Sequence, residues 1–436
     1  MMVPEDYDIA IIGGGLVGAS LARLLASSGQ AWRIALLDQR RLSTDATAHY
    51  GPDYDNRSTA LAAGSVELFQ RLDLWPRLSR HATAIREVQV SDRGHWGGAR
   101  INANEQGRDA LGYVLENAWL APCLQEAALA SPQVSHLAPV QVTALKPGAR
   151  ACSLTLSPQA GVGADLPPSI RARLVVLADG GASPLREQLG ISLKRTDYGQ
   201  TALVANVSFS EPHRGVAYER FTADGPMALL PLDESPRGRR GALIWTLPPN
   251  RARRLQNLQE TPDADFLEQL QRQFGWRLGR FERLGERHAW PLQLVEAREQ
   301  VRSRLVLLGN SAHYLHPVAG QGLNLSLRDA ASLAQTLSHA REQGRDPGSL
   351  DSLQAYLNDR HWDQALTLGL SDRLVKVFSN RRPPLVALRH LGFLALDTLP
   401  GARQAFAAQT MGILEPQSLW PGLQTAASHP AAEVSS

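Results

Sequence analysis

Short apolar runs that end on glycine or an acidic residue recur along the chain, and they predict the strands of a mostly parallel sheet. Residues 7–12 form the first run, which is followed by a helical pattern over residues 16–28 and another apolar run over 32–37. Residues 174–178 and 305–308 are later runs of the same kind. The order strand, helix, strand at the start of the chain predicts an α/β fold.

A different pattern fills the middle of the chain. Four β-rich segments alternate with turn signals such as Asp224-Gly225-Pro226 and predict an antiparallel sheet: residues 201–208, 215–222, 227–232 and 241–247. Beyond them, leucine and alanine at helical spacing predict a long helix over residues 322–344, followed by mainly helical chain to about residue 412.

Composition adds few constraints on function. Of 436 residues, 45 are Lys or Arg and 42 are Asp or Glu, so the net charge is only +3, and no basic block supports nucleic-acid binding. The two cysteines, Cys123 and Cys152, fit neither a disulfide framework nor a metal site. No basic leader is present, and no uncharged apolar stretch reaches ~18 residues. We therefore expect a cytoplasmic protein with no signal peptide, transmembrane helix or metal.

The glycine cluster after the first run has the spacing of a dinucleotide-binding turn. Gly13-x-Gly15-x-x-Gly18, with Gly14 inside it, follows a strand and opens a helix, and Asp38 ends the next apolar run. Gly13 permits the tight turn, Gly15 lets the backbone approach a pyrophosphate, and Gly18 lets the helix pack on the strand. The helix start offers N–H groups to the phosphates, and Asp38 offers a carboxylate to the adenosine ribose.

Later motifs must decide between NAD and FAD, because the glycine turn alone does not. Arg57, in the motif Asp55-x-Arg57, either meets a phosphate or flavin edge or forms a surface salt bridge. Asp179-Gly180 ends a strand shortly before Ser183, so it is either a cofactor contact or the approach to a simple helix N-cap.

The stretch from Gly309 to Leu325 is the most informative of these. Gly320 and Gly322 give an adaptable backbone directly before the long helix. A helix start at this point directs N–H groups toward an isoalloxazine edge, where negative charge accumulates on reduction.

With these motifs in this order, the sequence resembles the class A flavin-dependent aromatic hydroxylases, the fold family of para-hydroxybenzoate hydroxylase. Within that family it is similar to the hydroxylases of ubiquinone biosynthesis, from about residue 8 to about residue 412. The closer match is carried by the Gly309–Asp329 stretch and by four other segments: Val90-Ser91-Asp92-Arg93-Gly94-His95, Glu219-Arg220-Phe221-Thr222, Gly225-Pro226-Met227-Ala228-Leu229-Leu230-Pro231 and Phe274-Gly275-Trp276-Arg277-Leu278-Gly279.

The resemblance implies an α/β fold in which an FAD-binding Rossmann-like domain is interleaved with an antiparallel-sheet substrate domain and followed by C-terminal helices. The division it implies has four parts: residues 1–75, 110–190 and 295–350 for the FAD-binding domain, 76–109 and 191–294 for the substrate domain, 351–415 for the helical region and 416–436 for a flexible tail.

The resemblance also implies the FAD contacts, position by position. These are Gly13, Gly15 and Gly18 on the pyrophosphate with Gly14 in the same turn, Asp38 on the ribose, Arg57 near the flavin, Asp179 and Gly180 in a motif shared by FAD and NAD(P)H binding, Gly309 and Asn310 along the ribityl chain, and Pro317, Gly320, Gly322, Leu323 and Asn324 around the ring. The broad family has Asp where this chain has Asn310. A neutral hydrogen bond contributes about 0.5–1.5 kcal/mol against ~1.5–3 for a charged one, so we expect slightly weaker flavin binding.

The implied reaction is a hydroxylation. NAD(P)H reduces FAD, O₂ adds to flavin C4a, and the hydroperoxide passes one oxygen atom to an electron-rich phenol, here 2-polyprenyl-6-methoxyphenol. The protein must supply a dry, mostly apolar pocket. We expect the antiparallel sheet to form its floor with seven side chains: Val216, Tyr218, Phe221, Met227, Leu229, Ile244 and Trp245. The sequence does not identify a catalytic base among its candidates, which are His313, His316, Tyr218, Glu219 and Arg220.

Two alternatives stay open: a sister hydroxylase of the same pathway that acts at another ring position, and a lipid-binding scaffold subunit with an inert flavin. A flavin halogenase is disfavoured because Trp245-Thr246-Leu247-Pro248 departs from Trp-x-Trp-x-Ile-Pro. A plain NAD dehydrogenase is disfavoured because it leaves the loop over residues 309–324 unexplained.

A basic, leucine-rich segment over residues 381–412 has two interpretations. Because a polyprenyl substrate lives in the bilayer, the segment is a candidate for peripheral membrane contact. The other interpretation is a set of helices that cap the flavin domain. Other ubiquinone-biosynthesis proteins are candidate partners.

Overall fold

The computed structural model describes residues 5–47, 50–51, 57–92, 98–158, 166–222, 224–235, 238–315 and 321–378. Its strands, in chain order, are β1 Glu5–Ile12, β2 Ile34–Leu37, β3 Ser58–Ala62, β4 Thr83–Ile85, β5 Glu87–Asp92, β6 Gly98–Asn102, β7 Gly112–Glu116, β8 Val134–Leu137, β9 Val140–Lys146, β10 Cys152–Pro158, β11 Ser169–Leu177, β12 Leu193–Phe209, β13 Val216–Thr222, β14 Gly225–Ser235, β15 Gly238–Leu247, β16 Phe281–Leu284, β17 His288–Ala297, β18 Val301–Arg302, β19 Leu305–Leu307 and β20 His313–Tyr314. Its α-helices are α1 Leu16–Ala26, α2 Ala63–Arg71, α3 Trp75–Leu78, α4 Asn117–Leu129, α5 Pro184–Gln188, α6 Pro249–Gln256, α7 Asp263–Phe274, α8 Gln321–Glu342 and α9 Leu350–Phe378.

The first sheet is mostly parallel and has the order β18-β19-β11-β1-β2-β8, with the β9–β10 hairpin joined to β11. Its central strand β1 is buried on both faces. Ile9 and Ile11 pack in the core that includes α1, α4 and α8, whereas Ala10 and Ile12 pack in the core under the hairpin. Burial on both faces explains why this strand is a continuous apolar run.

The second sheet has the order β20-β17-β12-β15-β14-β13-β5-β6, with β16 also paired to β12. Its pairs are antiparallel except for β13 with β5, which are parallel. Helices α6 and α7 cover one face, where Trp245 meets Phe266 edge to face. We call the other side the open face. A small sheet, β3-β7-β4, packs against part of it.

These elements confirm the α/β class and the interleaved antiparallel sheet. The runs that precede Gly13, Asp179 and Gly309 are β1, β11 and β19, which lie side by side in one sheet. One turn differs from the expectation: Gly225 already belongs to β14, and it pairs with Thr222 across a shorter turn. Within the C-terminal region, α9 is helical as expected, whereas residues 379–436 lie outside the described chain. The domain boundaries stay a proposal.

Both cysteines are small buried side chains, as expected, and neither forms a disulfide. Burial raises the pKa of Cys123 and of Cys152 to about 11, so both stay protonated and unreactive at neutral pH. In the described part of the chain, no helix is both long and apolar enough to cross a bilayer.

Candidate functional site

The glycine turn between β1 and α1 has different steric demands at each position. A Cβ at Gly13, where φ is +107°, would lie 2.3 Å from the carbonyl oxygen of Ala178, and one at Gly18 would lie 1.8 Å from the carbonyl oxygen of Gly13. A Cβ at Gly15, by contrast, meets no protein atom within 4 Å. Gly13 and Gly18 therefore serve packing, whereas Gly15 borders open space at the start of a helix.

The start of α1 suits an anion. Gly15 is the N-cap residue, and no side chain caps the helix there. No acidic residue lies in the first turn. The backbone N–H groups and the positive end of the helix dipole thus face the open space beside Gly15, as a pyrophosphate requires.

Asp38 lies against the same turn, directly after β2. One carboxylate oxygen accepts a hydrogen bond from the Gly14 N–H at 2.7 Å, and the other accepts from the Arg40 N–H at 2.8 Å. Each oxygen keeps a lone pair for a further donor. Gln125 secures the other side of the turn by donating to the Gly14 carbonyl at 2.8 Å.

Asp179 and Ser311 join two segments that are far apart in sequence. The Ser311 hydroxyl donates to the Asp179 carboxylate at 2.9 Å and accepts from the Gly180 N–H at 3.1 Å. The buried guanidinium of Arg186 adds donors to the carbonyls of Ser311, at 3.2 Å, and Gly181, at 2.7 Å. Ser183 is also the N-cap of α5, which confirms the N-cap interpretation, and the cofactor contact of Asp179 and Gly180 stays a prediction.

Gly309 and Asn310 follow β19 at the same edge of the parallel sheet. Gly309 has φ +64°, and a Cβ there would lie 3.2 Å from a methyl group of Val17 in α1. Asn310 is exposed, with its side chain available to a ligand. The sequence motifs around Gly13, Asp179 and Gly309 therefore meet at one site.

The start of α8 is attached to β3 by Asn324, which is buried. Its side-chain oxygen accepts from the Ala62 N–H and from the Ser65 hydroxyl, both at 2.8 Å, and its amide donates to the Ala60 carbonyl at 2.9 Å. These bonds give Asn324 a positioning role within the protein. A Cβ at Gly322 would meet nothing within 4 Å, and Leu323 packs at the edge of the core. Pro317 and Gly320, also predicted near the ring, lie outside the described residues.

Arg57 stands just before β3. Its guanidinium lies 5.5 Å from the ring centroid of Trp290, which is 44% exposed on β17. Burial raises the pKa of Tyr314, and the charge of Arg57 acts in the opposite direction, so the two side chains are close enough to interact. The cation thus sits between the small sheet and the second sheet. Asp55, the acidic residue of the same motif, lies outside the described residues.

A buried charge network lies next to this site, and no pattern in the sequence indicates it. Asp329 in α8 bonds with His313 Nε2 at 2.7 Å and accepts from Arg360 Nε at 2.8 Å. Burial alone would raise the pKa of Asp329, but the bond from His313 and the charge of Arg360 hold it well below its ordinary value. His313 Nδ1 is buried and has no partner among the described residues.

The seven residues predicted for the pocket floor do not share one face of the sheet. Val216, Tyr218, Met227, Leu229 and Trp245 point to the helix-covered face, where they pack in the core that includes α6 and α7. Only Phe221 and Ile244 belong to the open face, because strand residues alternate between faces. The sequence could not decide this, since the strands are apolar on both sides.

The open face is apolar and partly accessible along one row of paired residues. The row runs across six strands as Val90, Glu219, Ala228, Ile244, Val204 and His288. Each of the six is half-buried, although most of their neighbours on the central strands are fully buried. This accessible row is therefore a candidate lining for a substrate cavity. No group of His, Cys, Asp and Glu suited to a metal ion occurs in the described ranges.

Comparisons with known proteins agree with this geometry. The family described as FAD binding domain matches residues 6–364. The chain is 36% identical to ubiquinone hydroxylase UbiL of Rhodospirillum rubrum, over 95% of this chain and 93% of that protein. It is 32% identical to 3-demethoxyubiquinol 3-hydroxylase of Escherichia coli, over 91% of this chain and 96% of that protein. The crystal structure of p-nitrophenol 4-monooxygenase PnpA from Pseudomonas putida has a TM-score of 0.73 at 18% identity, and it covers 94% of this chain and 100% of that one.

Proposed function

The chain belongs to the FAD binding domain family, and on that basis we propose that it hydroxylates 2-polyprenyl-6-methoxyphenol, or a close polyprenylated relative, in ubiquinone biosynthesis. It is an FAD-dependent monooxygenase that uses NAD(P)H and O₂. Its substrate class is phenolic. The proposal concerns the identity of the phenol and the ring position that gains oxygen.

The glycine turn fits the dinucleotide half of FAD. Open space beside Gly15, free N–H groups at the start of α1 and the carboxylate of Asp38 suit a pyrophosphate and a ribose. When bound, FAD supplies the redox chemistry, which takes electrons from NAD(P)H and activates O₂ for transfer to the phenol.

The other site residues hold the flavin half in place. Asp179, Gly180 and Ser311 brace the loop that presents Asn310, whose amide is available to a ribityl hydroxyl. Asn324 fixes the start of α8, so that the first N–H groups of this helix keep one direction. Arg57 places a positive charge beside the proposed flavin position. These assignments are proposals from geometry.

The phenol lies over the open face of the second sheet. That face is lined mainly by aliphatic side chains, which exclude water and accept a prenyl chain. At one end, the open face includes Trp290, which lies beside Arg57. Elsewhere it packs against Ala60, whose carbonyl accepts a hydrogen bond from Asn324. The open face therefore adjoins the residues that we assign to the flavin.

The observation that carries the proposal is the full-length similarity to ubiquinone hydroxylase UbiL. The similarity to 3-demethoxyubiquinol 3-hydroxylase of Escherichia coli favours the sister hydroxylase as a second candidate, because the name of that protein gives ring position 3 of its substrate. The scaffold alternative loses its support, since the chain belongs to an enzyme group.

The test is aerobic NAD(P)H oxidation by the FAD-loaded protein, with and without a short-chain 2-prenyl-6-methoxyphenol. We expect the phenol to stimulate oxidation and to gain one oxygen atom, and NMR of the product then gives the ring position. Stimulation by a different ubiquinone precursor alone would replace this substrate by that of a sister enzyme.

We also propose a cytoplasmic location with peripheral membrane contact through residues 381–412, which lie outside the described chain. The support is chemical, because the substrate tail partitions into the bilayer. Cosedimentation with anionic liposomes should weaken when these residues are deleted from a still-folded protein. Unchanged cosedimentation would exclude the segment as the contact. Binding to other ubiquinone-biosynthesis proteins is a separate proposal, for pull-down experiments.

A further inference from the structure

Glu219 is a carboxylate in an otherwise apolar part of the open face. It lies on β13 between Ala217 and Phe221, which share its face. Directly opposite it are Val90 on β5 and Ala228 on β14. Among the described residues, no hydrogen bond or ion pair reaches its side chain. Phe221 and Val90 pack together beside it, so bulk water has little access from that side.

A purely structural role does not account for this carboxylate. A buried charge without a partner is costly, and folding normally provides a partner or replaces the residue. Glu219 has no partner among the described residues, yet its side chain is half-buried rather than sealed, like its row neighbours Ala228, Ile244 and Val204. An apolar cavity with one convergent polar group is the usual form of a site for a small organic ligand.

Asp92, at the end of β5, pairs in register with Phe221, two positions from Glu219. From β5 and β14, the positions that face it are the aliphatic Val88, Val90, Ala228 and Leu230. Its neighbour Arg220 points to the other face, where it donates to the Gln273 carbonyl at 2.9 Å.

Other titratable groups of the open face lie in two places. The buried ion pair of Arg240 and Glu116 lies where the small sheet packs on this face. His288 is at the far end of the row, with Arg57 and Tyr314 beyond it. Burial alone raises the pKa of Glu219 to about 7. The carboxyl group is therefore close to half-ionised at neutral pH, as a general base should be.

We propose that Glu219 is the catalytic base that takes the phenolic proton as the ring is hydroxylated. The inference rests on the proposed function, since it requires a phenol over the open face. A free phenol has a pKa near 10, so the proton stays on the phenol in the resting complex. It becomes much more acidic as the ring carbon bonds to oxygen.

The proton transfer and the hydroxylation balance as follows. The phenolic O–H bond breaks, its proton passes to a carboxylate oxygen of Glu219, and the electron pair of that bond moves into the ring. The ring carbon uses a π pair to bond to the oxygen atom that the monooxygenase reaction delivers from O₂. NAD(P)H provides the two electrons for that reaction, and the second oxygen atom leaves as water. The ring C–H proton is released when the ring regains aromaticity.

The test uses the FAD-loaded full chain, the variant Glu219→Gln and two short-chain prenyl phenols, an ordinary one and one with electron-withdrawing groups whose own pKa lies well below 7. For the ordinary phenol, wild-type kcat/KM should rise with pH through about 7. In Glu219→Gln, kcat/KM should no longer rise through pH 7, and at neutral pH it should be lower than the wild-type value by about 10²-fold or more. For the ionised phenol, wild-type kcat/KM should show no rise near pH 7. The kcat/KM of the variant should then be lower than that of wild type by under about tenfold.

Glu87→Gln is the matched control, because it makes the same change on the neighbouring strand at a position that points to the other face. It should keep the wild-type pH profile. Perturbation of the flavin spectrum gives phenol affinity independently of turnover, and it should be equal in wild type and Glu219→Gln.

Two outcomes overturn the inference alone while wild type hydroxylates the phenol. One is a Glu219→Gln variant with the wild-type rate and pH profile, and the other is an equal loss with both phenols. The comparison of the two phenols in wild type decides the question even if the variant does not fold. A rise of kcat/KM near pH 7 that persists with the ionised phenol excludes Glu219 as the base. A wild type that hydroxylates no phenol contradicts the proposed function itself.

Discussion

The hydroxyl of Ser311 donates to the carboxylate of Asp179 at 2.9 Å across 132 positions of sequence. Through this bond, the loop after β19 and the loop after β11 form one unit beside the glycine turn. The same hydroxyl accepts from the Gly180 N–H. The geometry of the proposed ribityl contacts therefore depends on Ser311, a serine of the Gly309–Leu325 stretch that is not among the FAD contacts implied by the resemblance.

Replacing Ser311 with Ala should weaken FAD binding. It leaves the half-buried Gly180 N–H without its acceptor and removes a donor from the Asp179 carboxylate, at a cost of about 1–3 kcal/mol. We expect FAD affinity to fall by about tenfold, measured by flavin fluorescence during titration of the apoprotein. Ser338→Ala removes a hydroxyl that bonds within α8 and serves as the control. Equal affinities of Ser311→Ala and wild type would contradict the coupling of the two loops.

The variants Gly15→Ala and Gly18→Ala should distinguish an effect on FAD binding from an effect on protein stability. At Gly15 a methyl group meets no protein atom within 4 Å. The free energy of unfolding of the Gly15→Ala apoprotein should therefore lie within about 1 kcal/mol of the wild-type value. FAD affinity should nevertheless fall, because the methyl group occupies the space proposed for the pyrophosphate. At Gly18 the methyl group collides with a backbone carbonyl, so stability should fall as well. Thermal melting of both apoproteins and FAD titration check this pair. Full FAD affinity in Gly15→Ala would contradict the proposed cofactor position.

Asp329→Asn should destabilise the protein in a pH-dependent way. It removes one of the two carboxylates that bond the buried guanidinium of Arg360, the other being Asp363, at a cost of about 1–3 kcal/mol. Because the folded-state pKa of Asp329 is lowered, its stabilising effect is present above its unfolded pKa of about 3.9 and is lost as pH falls toward the folded value. The difference between wild type and variant should therefore be largest at neutral pH and shrink below about pH 4. Urea unfolding across this range measures it, and a difference that does not change with pH contradicts the ionised pair.

Ala228→Leu should fill the proposed cavity over the open face. The larger side chain projects between Glu219 and Ile244, so KM for the prenyl phenol should rise by about tenfold or more. FAD affinity should stay at the wild-type value, because the change is on the substrate side. Ala144→Leu, at an exposed position of β9, is the size-matched control. An unchanged KM would place the phenol elsewhere.

Local backbone requirements made much of the cofactor half predictable from sequence. Gly13 and Gly18 are needed because a Cβ would strike a main-chain oxygen, and such a requirement leaves a fixed spacing in the sequence. Asp38 is predictable because it ends the strand that follows the turn. The same reasoning found Asp179 and Gly309, since strands of one parallel sheet end at one edge.

Contacts between distant residues were not predictable. Ser311 and Asp179, or His313 and Asp329, approach only after the sheets assemble, and no local pattern records their pairing. The faces of Tyr218 and Met227 were not predictable for another reason. Both faces of the second sheet are largely apolar, the one against α6 and α7 and the one proposed for the substrate, so alternation carries no signal there.

The central claim, oxygen transfer to a phenol, is tested most directly with isotopically labelled O₂. The FAD-loaded protein, NAD(P)H and a short-chain 2-prenyl-6-methoxyphenol should yield a product that carries one labelled oxygen atom per molecule, with the second label recovered in water. A product without label, or NAD(P)H oxidation that yields only hydrogen peroxide for every phenol of this class, would contradict the account.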